Sequence, residues 1–188
     1  VMMFDGAHGE VMGLADASVI TEVRTGAVSG VATDLLARKD AHHLAVIGAG
    51  AQGRSHLAAM MEERDIQKVT VYDQRREAAK KYQKEMEEKY KIPVMVCDSV
   101  EEAVKGAEII CTVTPSKEPY LKAEWITPGA HINAVGAFTP NTREIESSLM
   151  AKAKLYADQV EAMKKECGEY LIPKNEGLFG EEHITGSI

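Results

Sequence analysis

One stretch of glycines constrains the fold of this chain more than any other feature. Residues 42–60 read HHLAVIGAGAQGRSHLAAM, in which a predicted buried strand ends at Gly48 and a predicted helix follows. The G-x-G-x-x-G spacing puts Gly48, Gly50 and Gly53 where a dinucleotide-binding turn needs a sharp bend, a close approach to pyrophosphate and close helix–strand packing. The helix N-terminus beyond the turn attracts phosphate. The stretch predicts a pyrophosphate-binding turn; the alternative is a glycine turn with a purely structural role.

Apolar strand-like segments alternate with helical segments along most of the chain. A long helix comes first, over residues 16–39, with Asp16 as its predicted N-cap. Six strands are then predicted, at residues 44–48, 68–73, 93–98, 108–113, 131–136 and 154–158. The last two predicted helices lie near 143–153 and 159–167. Strands that are apolar on both faces and return through helices form a covered parallel sheet. We therefore expect an α/β fold with a doubly wound, Rossmann-type sheet and helices on both faces.

Composition excludes several classes of function. The net charge of −7 argues against a nucleic-acid partner, which favours basic surfaces. No apolar run approaches the roughly 18 residues that span a bilayer, so no membrane partner is expected. The three cysteines are far apart, and neither cysteines nor histidines show metal-ligand spacing, which predicts a cytoplasmic location and no metal site. The chain starts inside a predicted strand and ends in mid-pattern, so we expect both ends to be cut.

Asp73 bears on the choice of dinucleotide. It ends the second predicted strand, about 25 residues beyond Gly48, near the position of a ribose-binding acid. A carboxylate there accepts hydrogen bonds from both ribose hydroxyls and repels a 2′-phosphate, which favours NAD. Arg75 and Arg76 follow closely, and an arginine there can hold a 2′-phosphate, so NADP stays an alternative.

Four further residues are candidates for ligand contact. Thr112 and Thr114 follow the fourth strand, at the edge where open sheets bind ligands, although threonine is also ordinary at a strand end. Gly136 follows the fifth strand, where a glycine lets the backbone approach a nicotinamide or a substrate. Arg24 lies among small helical residues and is a candidate bidentate clamp for a substrate carboxylate; its alternative is a solvated helix arginine.

Three segments together resemble the ornithine cyclodeaminase/mu-crystallin family. They are MMFDGAHGEVMGLAD (2–16), TEVRTGAVSGVATDLLARKDAHHLAVIGAGAQGRSHLAAM (21–60) and GAHINAVGAFTPNTREIESSLMAKAKLYAD (129–158). The resemblance covers nearly the whole chain. It implies a dinucleotide domain over residues 41–167, with remnants of a substrate and dimerisation lobe at 1–40 and 168–188. It also implies a homodimer for the full-length protein.

The resemblance assigns roles to individual residues. It implies that Arg24 binds the substrate carboxylate with help from Thr25. It implies cofactor contacts at Gly48, Gly50, Ala51, Gln52, Gly53, Asp73, Thr112, Thr114, Val135 and Gly136. The family's catalytic lysine lies upstream of anything like Val1, so no catalytic residue is assigned and the chain alone is expected to be inactive.

One position departs from the cyclodeaminase pattern. Ornithine cyclodeaminases carry an aspartate in the loop after the fifth strand, where this chain has Phe138. A phenyl ring neither accepts a proton nor orients an amine. The resemblance then favours an NAD(P)-dependent oxidoreductase acting at the α-carbon of a small amino or imino acid, as a cyclic ketimine reductase or amino-acid dehydrogenase. The alternatives are an ornithine cyclodeaminase and a non-catalytic, mu-crystallin-like binding protein.

Overall fold

The computed structural model describes residues 1–188. Its strands are β1 Met2–Phe4, β2 Val11–Leu14, β3 His43–Ile47, β4 Lys68–Tyr72, β5 Val94–Val96, β6 Ile109–Thr112, β7 His131–Ala134, β8 Leu155–Ala157 and β9 Ile184–Ser187. Its helices are α1 Ser18–Leu36, α2 Ala51–Glu63, α3 Arg76–Tyr90, α4 Val100–Val104, α5 Ser147–Met150, α6 Val160–Glu166 and α7 Gly168–Asn175. None of these helices is long and apolar enough to cross a membrane.

Five strands form a parallel sheet in the order β5-β4-β3-β6-β7. The central strand β3 is buried along its whole length, and its Leu44 pairs with Val69 of β4 and Ile109 of β6. One face of the sheet packs against α2 and α3 in a core that includes Leu57. The other face packs against α4 and the segments before α5, in a core that includes Ile145. The predicted α/β fold with a doubly wound sheet is confirmed.

The sixth predicted strand does not join this sheet. Residues 155–157 (β8) pair in parallel with β9 at the end of the chain and form a separate two-stranded sheet. The prediction was wrong because alternation along the chain does not identify a strand's partner, and the partner here lies in a short, half-polar segment. Residues 168–188 therefore return to pack beside residues 155–157. The division of the chain at residues 40 and 167 stays a prediction.

Two predicted helices are shorter than expected. The helix that we predicted over residues 143–153 forms only at Ser147–Met150. The carbonyl of Glu144 accepts the N–H groups of Tyr120 and Leu121, and the Glu146 N–H group donates to the Leu121 carbonyl, which keeps this backbone extended. The helix that we predicted over residues 16–39 forms at Ser18–Leu36 (α1), and its N-cap is Ala17 instead of Asp16. The Asp16 carboxylate still accepts the Ser18 N–H group at 2.8 Å.

A buried arginine holds the end of α1 against α2. Arg64 follows α2 and is 6% exposed. Its guanidinium donates to the carbonyls of Thr33 (2.6 Å), Ala37 (3.0 Å) and Arg38 (3.0 Å), which lie in the last turn of α1 and just beyond it. Arg64 thus fixes the position of the helix that carries Arg24.

A second buried charge ties the return segment to the main sheet. Glu169 of α7 is 3% exposed, and its carboxylate accepts the N–H groups of Glu144 and Ile145. Burial raises the pKa of Glu169 to about 7; the Glu144 carboxylate adds to this rise, whereas the N–H donors and Arg143 oppose it.

We expect Arg64→Ala to lower the free energy of unfolding by about 3 kcal/mol, because several buried carbonyls lose a charged donor together. Urea titration measures this as a lower midpoint with an unchanged slope. Lys39→Ala is the matched control, since Lys39 caps the same helix end but is 73% exposed. Equal midpoint shifts for the two variants would show that the guanidinium does not anchor α1.

Glu169 predicts a pH dependence of stability. Because its folded-state pKa lies above its ordinary value of 4.5, its contribution is fully present below that value and is lost as the pH rises through about 7. Glu169→Gln mimics the neutral form. The wild type should therefore lose about 3 kcal/mol of stability relative to this variant between acid and mildly alkaline pH. A pH-independent difference between their unfolding free energies would contradict the raised pKa.

Candidate functional site

The carboxyl ends of β3, β4 and β6 open into a cleft of about 560 Å³. This volume lies within the roughly 300–1,000 Å³ of small-molecule sites. The cleft lies beside the central strand, where the strand order reverses and open α/β sheets bind their ligands. Its lining includes Gly48, Gly50, Asp73, Arg75, Thr114 and Tyr120.

The glycine turn has the geometry that the sequence predicted. Gly48 has φ of +111°, which a side chain rarely adopts, and its N–H group donates to the Tyr72 carbonyl at 2.8 Å. Gly50 is the N-cap of α2; no side chain caps the helix, and no atom lies within 4 Å of where a Cβ would be. A Cβ on Gly53 would lie 2.3 Å from the Gly48 carbonyl oxygen, so this glycine permits close helix–strand packing. The open helix N-terminus fits a pyrophosphate group.

Asp73 lies against this turn. Its Oδ2 accepts the Ala49 N–H group at 2.9 Å, and its Oδ1 accepts the Arg75 N–H group at 2.8 Å. The Asp73 side chain is 14% exposed, whereas that of Arg75 is 81% exposed. Arg76 forms an ion pair with Asp98. The structure thus places the predicted ribose-binding acid in the same cleft as the glycine turn.

Ala51 and Gln52 lie in the first turn of α2, outside the lining of the cleft. The Gln52 side-chain amide points towards α1, with its Nε2 3.5 Å from the Thr21 carbonyl oxygen. Thr21 lies one helical turn before Arg24. Gln52 therefore connects the glycine turn to the helix that carries the candidate substrate arginine.

The two threonines at the end of β6 and just beyond it differ from each other. Thr112 is fully buried, and its hydroxyl has no hydrogen-bond partner. Thr114 lines the cleft, but its hydroxyl donates to Glu144 Oε1 at 2.6 Å. The hydroxyl and the backbone N–H group of Thr114 are therefore both engaged by Glu144.

Glu144 is a residue that the sequence reasoning missed. Its buried carboxylate accepts the Thr114 N–H group (2.7 Å) and the Tyr120 hydroxyl (2.6 Å) on Oε1, and the Gly136 N–H group (2.8 Å) on Oε2. Burial, with the Glu144 charge, raises the pKa of the Tyr120 hydroxyl above its ordinary value. A Cβ on Gly136 would lie 2.1 Å from the Thr114 carbonyl oxygen, so this glycine permits the close approach of the two loops. The sequence carries no local signal for Glu144, which lies in a segment predicted as a helix.

A second cleft of about 1030 Å³ holds the candidate substrate residues. It lies between α1 and the β7–β8 region, and its lining includes Arg24, Thr25, Val135 and Phe138. Arg24 is exposed and forms no ion pair. Phe138 is 75% exposed. The predicted site residues thus divide between two clefts, while Ala51, Gln52, Gly53, Thr112 and Gly136 line neither.

The chain is similar to several known proteins over its whole length. It is 43% identical over 189 residues to ketimine reductase mu-crystallin of Mus musculus, covering 100% of this chain and 59% of that protein. Delta(1)-pyrroline-2-carboxylate reductase of Thermococcus litoralis, solved with NADH and L-proline, superposes with a TM-score of 0.95 at 40% identity, covering 99% of this chain and 58% of that chain. An archaeal alanine dehydrogenase dimer with bound NAD superposes with a TM-score of 0.91 at 35% identity, covering 99% of this chain and 57% of that chain.

The chain thus spans less than two thirds of the length of each of these relatives. The model of the ornithine cyclodeaminase/mu-crystallin family matches residues 1–187. Together with the glycine turn and the Arg24 segment, this match shows that the chain belongs to the ornithine cyclodeaminase/mu-crystallin family.

Proposed function

We propose that this chain is the cofactor-binding part of an NAD(P)-dependent oxidoreductase that acts at the α-carbon of a small amino or imino acid. The observation that carries the proposal is the joint placement of the glycine turn and Asp73 in one cleft, beside a second cleft with an unpaired arginine. The names of the relatives support reduction of a cyclic ketimine, since they include a ketimine reductase and a pyrroline-2-carboxylate reductase.

Each cleft has a separate task in this proposal. A bound nicotinamide supplies the hydride that passes to or from the α-carbon. Arg24 is exposed in the second cleft and has no ion-pair partner, so its guanidinium is available to hold a substrate carboxylate by two parallel hydrogen bonds. Thr25 lies beside it in the same cleft. Gln52 lines neither cleft, but its side-chain Nε2 lies 3.5 Å from the Thr21 carbonyl oxygen on the helix that carries Arg24.

We propose NAD rather than NADP as the cofactor. Asp73 places a carboxylate at the end of β4, within reach of the glycine turn, where a 2′-phosphate would be repelled. Arg76 forms an ion pair with Asp98, and Arg75 Nε lies 3.8 Å from Asp73 Oδ1, so both arginines are paired with aspartates. The Asp73 carboxylate therefore favours the ribose of NAD, which has two free hydroxyls, over the ribose of NADP, which carries a 2′-phosphate.

Phe138 supports a reductase over a cyclodeaminase. Its ring lies at the second cleft, 75% exposed, at the position where the family resemblance places a cyclodeaminase aspartate. A cyclodeaminase needs a group there that handles the second amine of its substrate, and a phenyl ring does not. A preformed cyclic imine needs no such group.

We also propose that the complete protein is a cytoplasmic homodimer. Apolar side chains on the β1–β2 hairpin and on the outer face of α1 are exposed, among them Met3 (53%), Phe4 (56%), Met12 (72%) and Val23 (62%). Such a surface is typical of an interface. The three cysteines are free, which is consistent with a reducing compartment.

The complete protein should oxidise NADH when it is given Δ1-pyrroline-2-carboxylate, as measured by the loss of NADH absorbance. Arg24→Ala should raise KM for the imino acid about 100-fold, because a bidentate charged contact is lost, and Arg24→Lys should recover part of that loss. Lys39→Ala is the control, because Lys39 lies just beyond the end of α1 and does not line the second cleft.

Two results would overturn this function. NADH binding without turnover of any cyclic ketimine or amino acid in a broad panel would favour a binding protein. Release of ammonia from ornithine with catalytic NAD would instead establish a cyclodeaminase.

Asp73→Ser should weaken NADH binding by about tenfold or more and raise the ratio of NADPH to NADH affinity, because the ribose loses a charged acceptor and the repulsion of phosphate disappears. Titration of cofactor fluorescence measures both affinities. Asp65→Asn is the control, since Asp65 lies near the opposite end of β4 and is 77% exposed. A variant that kept its NADH affinity would refute the ribose contact.

A further inference from the structure

The loops that follow β6 and β7 converge on one carboxylate. Glu144 has no exposed surface, and it accepts four hydrogen bonds: two from Thr114, one from the Tyr120 hydroxyl and one from the Gly136 N–H group. An ionised carboxylate has acceptor sites for all four donors and donates none itself.

Two of the three donor residues line the first cleft, and the third lies next to a residue of the second cleft. Thr114 and Tyr120 line the first cleft. Val135, next to Gly136, lines the second, as does Phe138 two residues further along. Glu144 itself lines neither cleft. Its carboxylate therefore holds together two loops, one that lines the first cleft and one that lines the second.

The glycine turn forms no hydrogen bond with this carboxylate, although it packs against the loop after β6: a Cβ on Gly48 would lie 2.8 Å from the Val113 carbonyl oxygen. Gly48, Gly50 and Asp73 would hold the pyrophosphate and ribose in the first cleft. A cofactor whose ribose and pyrophosphate occupy the turn extends its nicotinamide towards the loops after β6 and β7. Among the groups that Glu144 holds, Gly136 lies next to Val135 of the second cleft, so we expect the nicotinamide half to depend on Glu144 more than the ribose and pyrophosphate do.

We propose that Glu144 is a positioning residue for the nicotinamide half of the cofactor. Through Thr114, Tyr120 and Gly136 it holds the two loops at the separation that the nicotinamide requires, and it touches neither cofactor nor substrate. This role rests on the proposed function, since it assumes that a nicotinamide dinucleotide occupies the first cleft. Nothing in the role requires Glu144 to take part in hydride transfer.

Three variants separate this role from general stability. Glu144→Gln keeps the shape of the side chain but replaces one carboxylate oxygen with an amide NH₂ group. This NH₂ group is a donor that faces other donors, so at least one hydrogen bond is lost. Glu144→Asp keeps the charge with a shorter reach and should rescue part of the loss. Glu118→Gln removes a charge from an exposed position of the loop that contains Thr114 and Tyr120, and it is the matched control.

Calorimetric titration of the complete protein with NADH and with ADP-ribose tests the proposal. We expect Glu144→Gln to weaken NADH binding about tenfold, to change ADP-ribose binding by less than twofold, and to lower kcat on a cyclic ketimine by tenfold or more. Glu118→Gln should match the wild type for both ligands. Equal losses for NADH and ADP-ribose, or an unchanged NADH affinity, would overturn the positioning role.

Two further outcomes keep the test decisive. If the wild type binds NADH but turns over no substrate, the proposed activity fails while the comparison of NADH with ADP-ribose still decides the role of Glu144. If Glu144→Gln does not fold, Tyr120→Phe removes a single donor from the carboxylate. That variant should weaken NADH binding about threefold with ADP-ribose binding unchanged, and an equal effect on both ligands would contradict the proposal.

Discussion

The parallel pairing of β3 between β4 and β6 is the constraint on which the rest of the structure depends. Ile47, at the end of β3, pairs with Tyr72 on one side and with Thr112 on the other. Because parallel strands end at the same edge of a sheet, the residues that follow these three strands must converge. This register brings Gly48, Asp73 and Thr114 into one cleft. Their convergence follows from the pairing of the strands and does not depend on contacts between their own side chains.

Two buried carboxylates extend this arrangement beyond the sheet. Glu169 of α7 accepts the backbone N–H groups of Glu144 and Ile145, and the Glu144 side chain accepts donors from the loops after β6 and β7. A continuous set of hydrogen bonds therefore runs from the return segment to the walls of both clefts. Because each carboxylate is buried, water does not reach the N–H and O–H groups that it accepts. Removal of either carboxylate therefore leaves these donors without a hydrogen-bond partner. The return segment is thus connected by hydrogen bonds to the loops of the site.

The sequence predicted the sheet, the glycine turn and the position of Asp73, because each depends on local spacing and on the rule that ligands bind at the carboxyl ends of parallel strands. It did not predict the pairing of β8 with β9 or the role of Glu144. These features depend on contacts between residues that are distant along the chain, such as the bond from Thr114 to Glu144. A glutamate inside an apparently helical pattern gives no sign that it will be buried. The division of Arg24 and Asp73 between two clefts was likewise invisible to spacing alone.

The most direct measurement of the central claim is amide hydrogen exchange of the complete protein with and without NADH. A dinucleotide that occupies the first cleft should slow exchange in the glycine turn over residues 48–54, and also in the loops at 112–120 and 134–138. Exchange in the exposed part of α3 should not change. Protection that is absent from the turn, or that appears in the turn without reaching either loop, would contradict the account that these segments form one cofactor site.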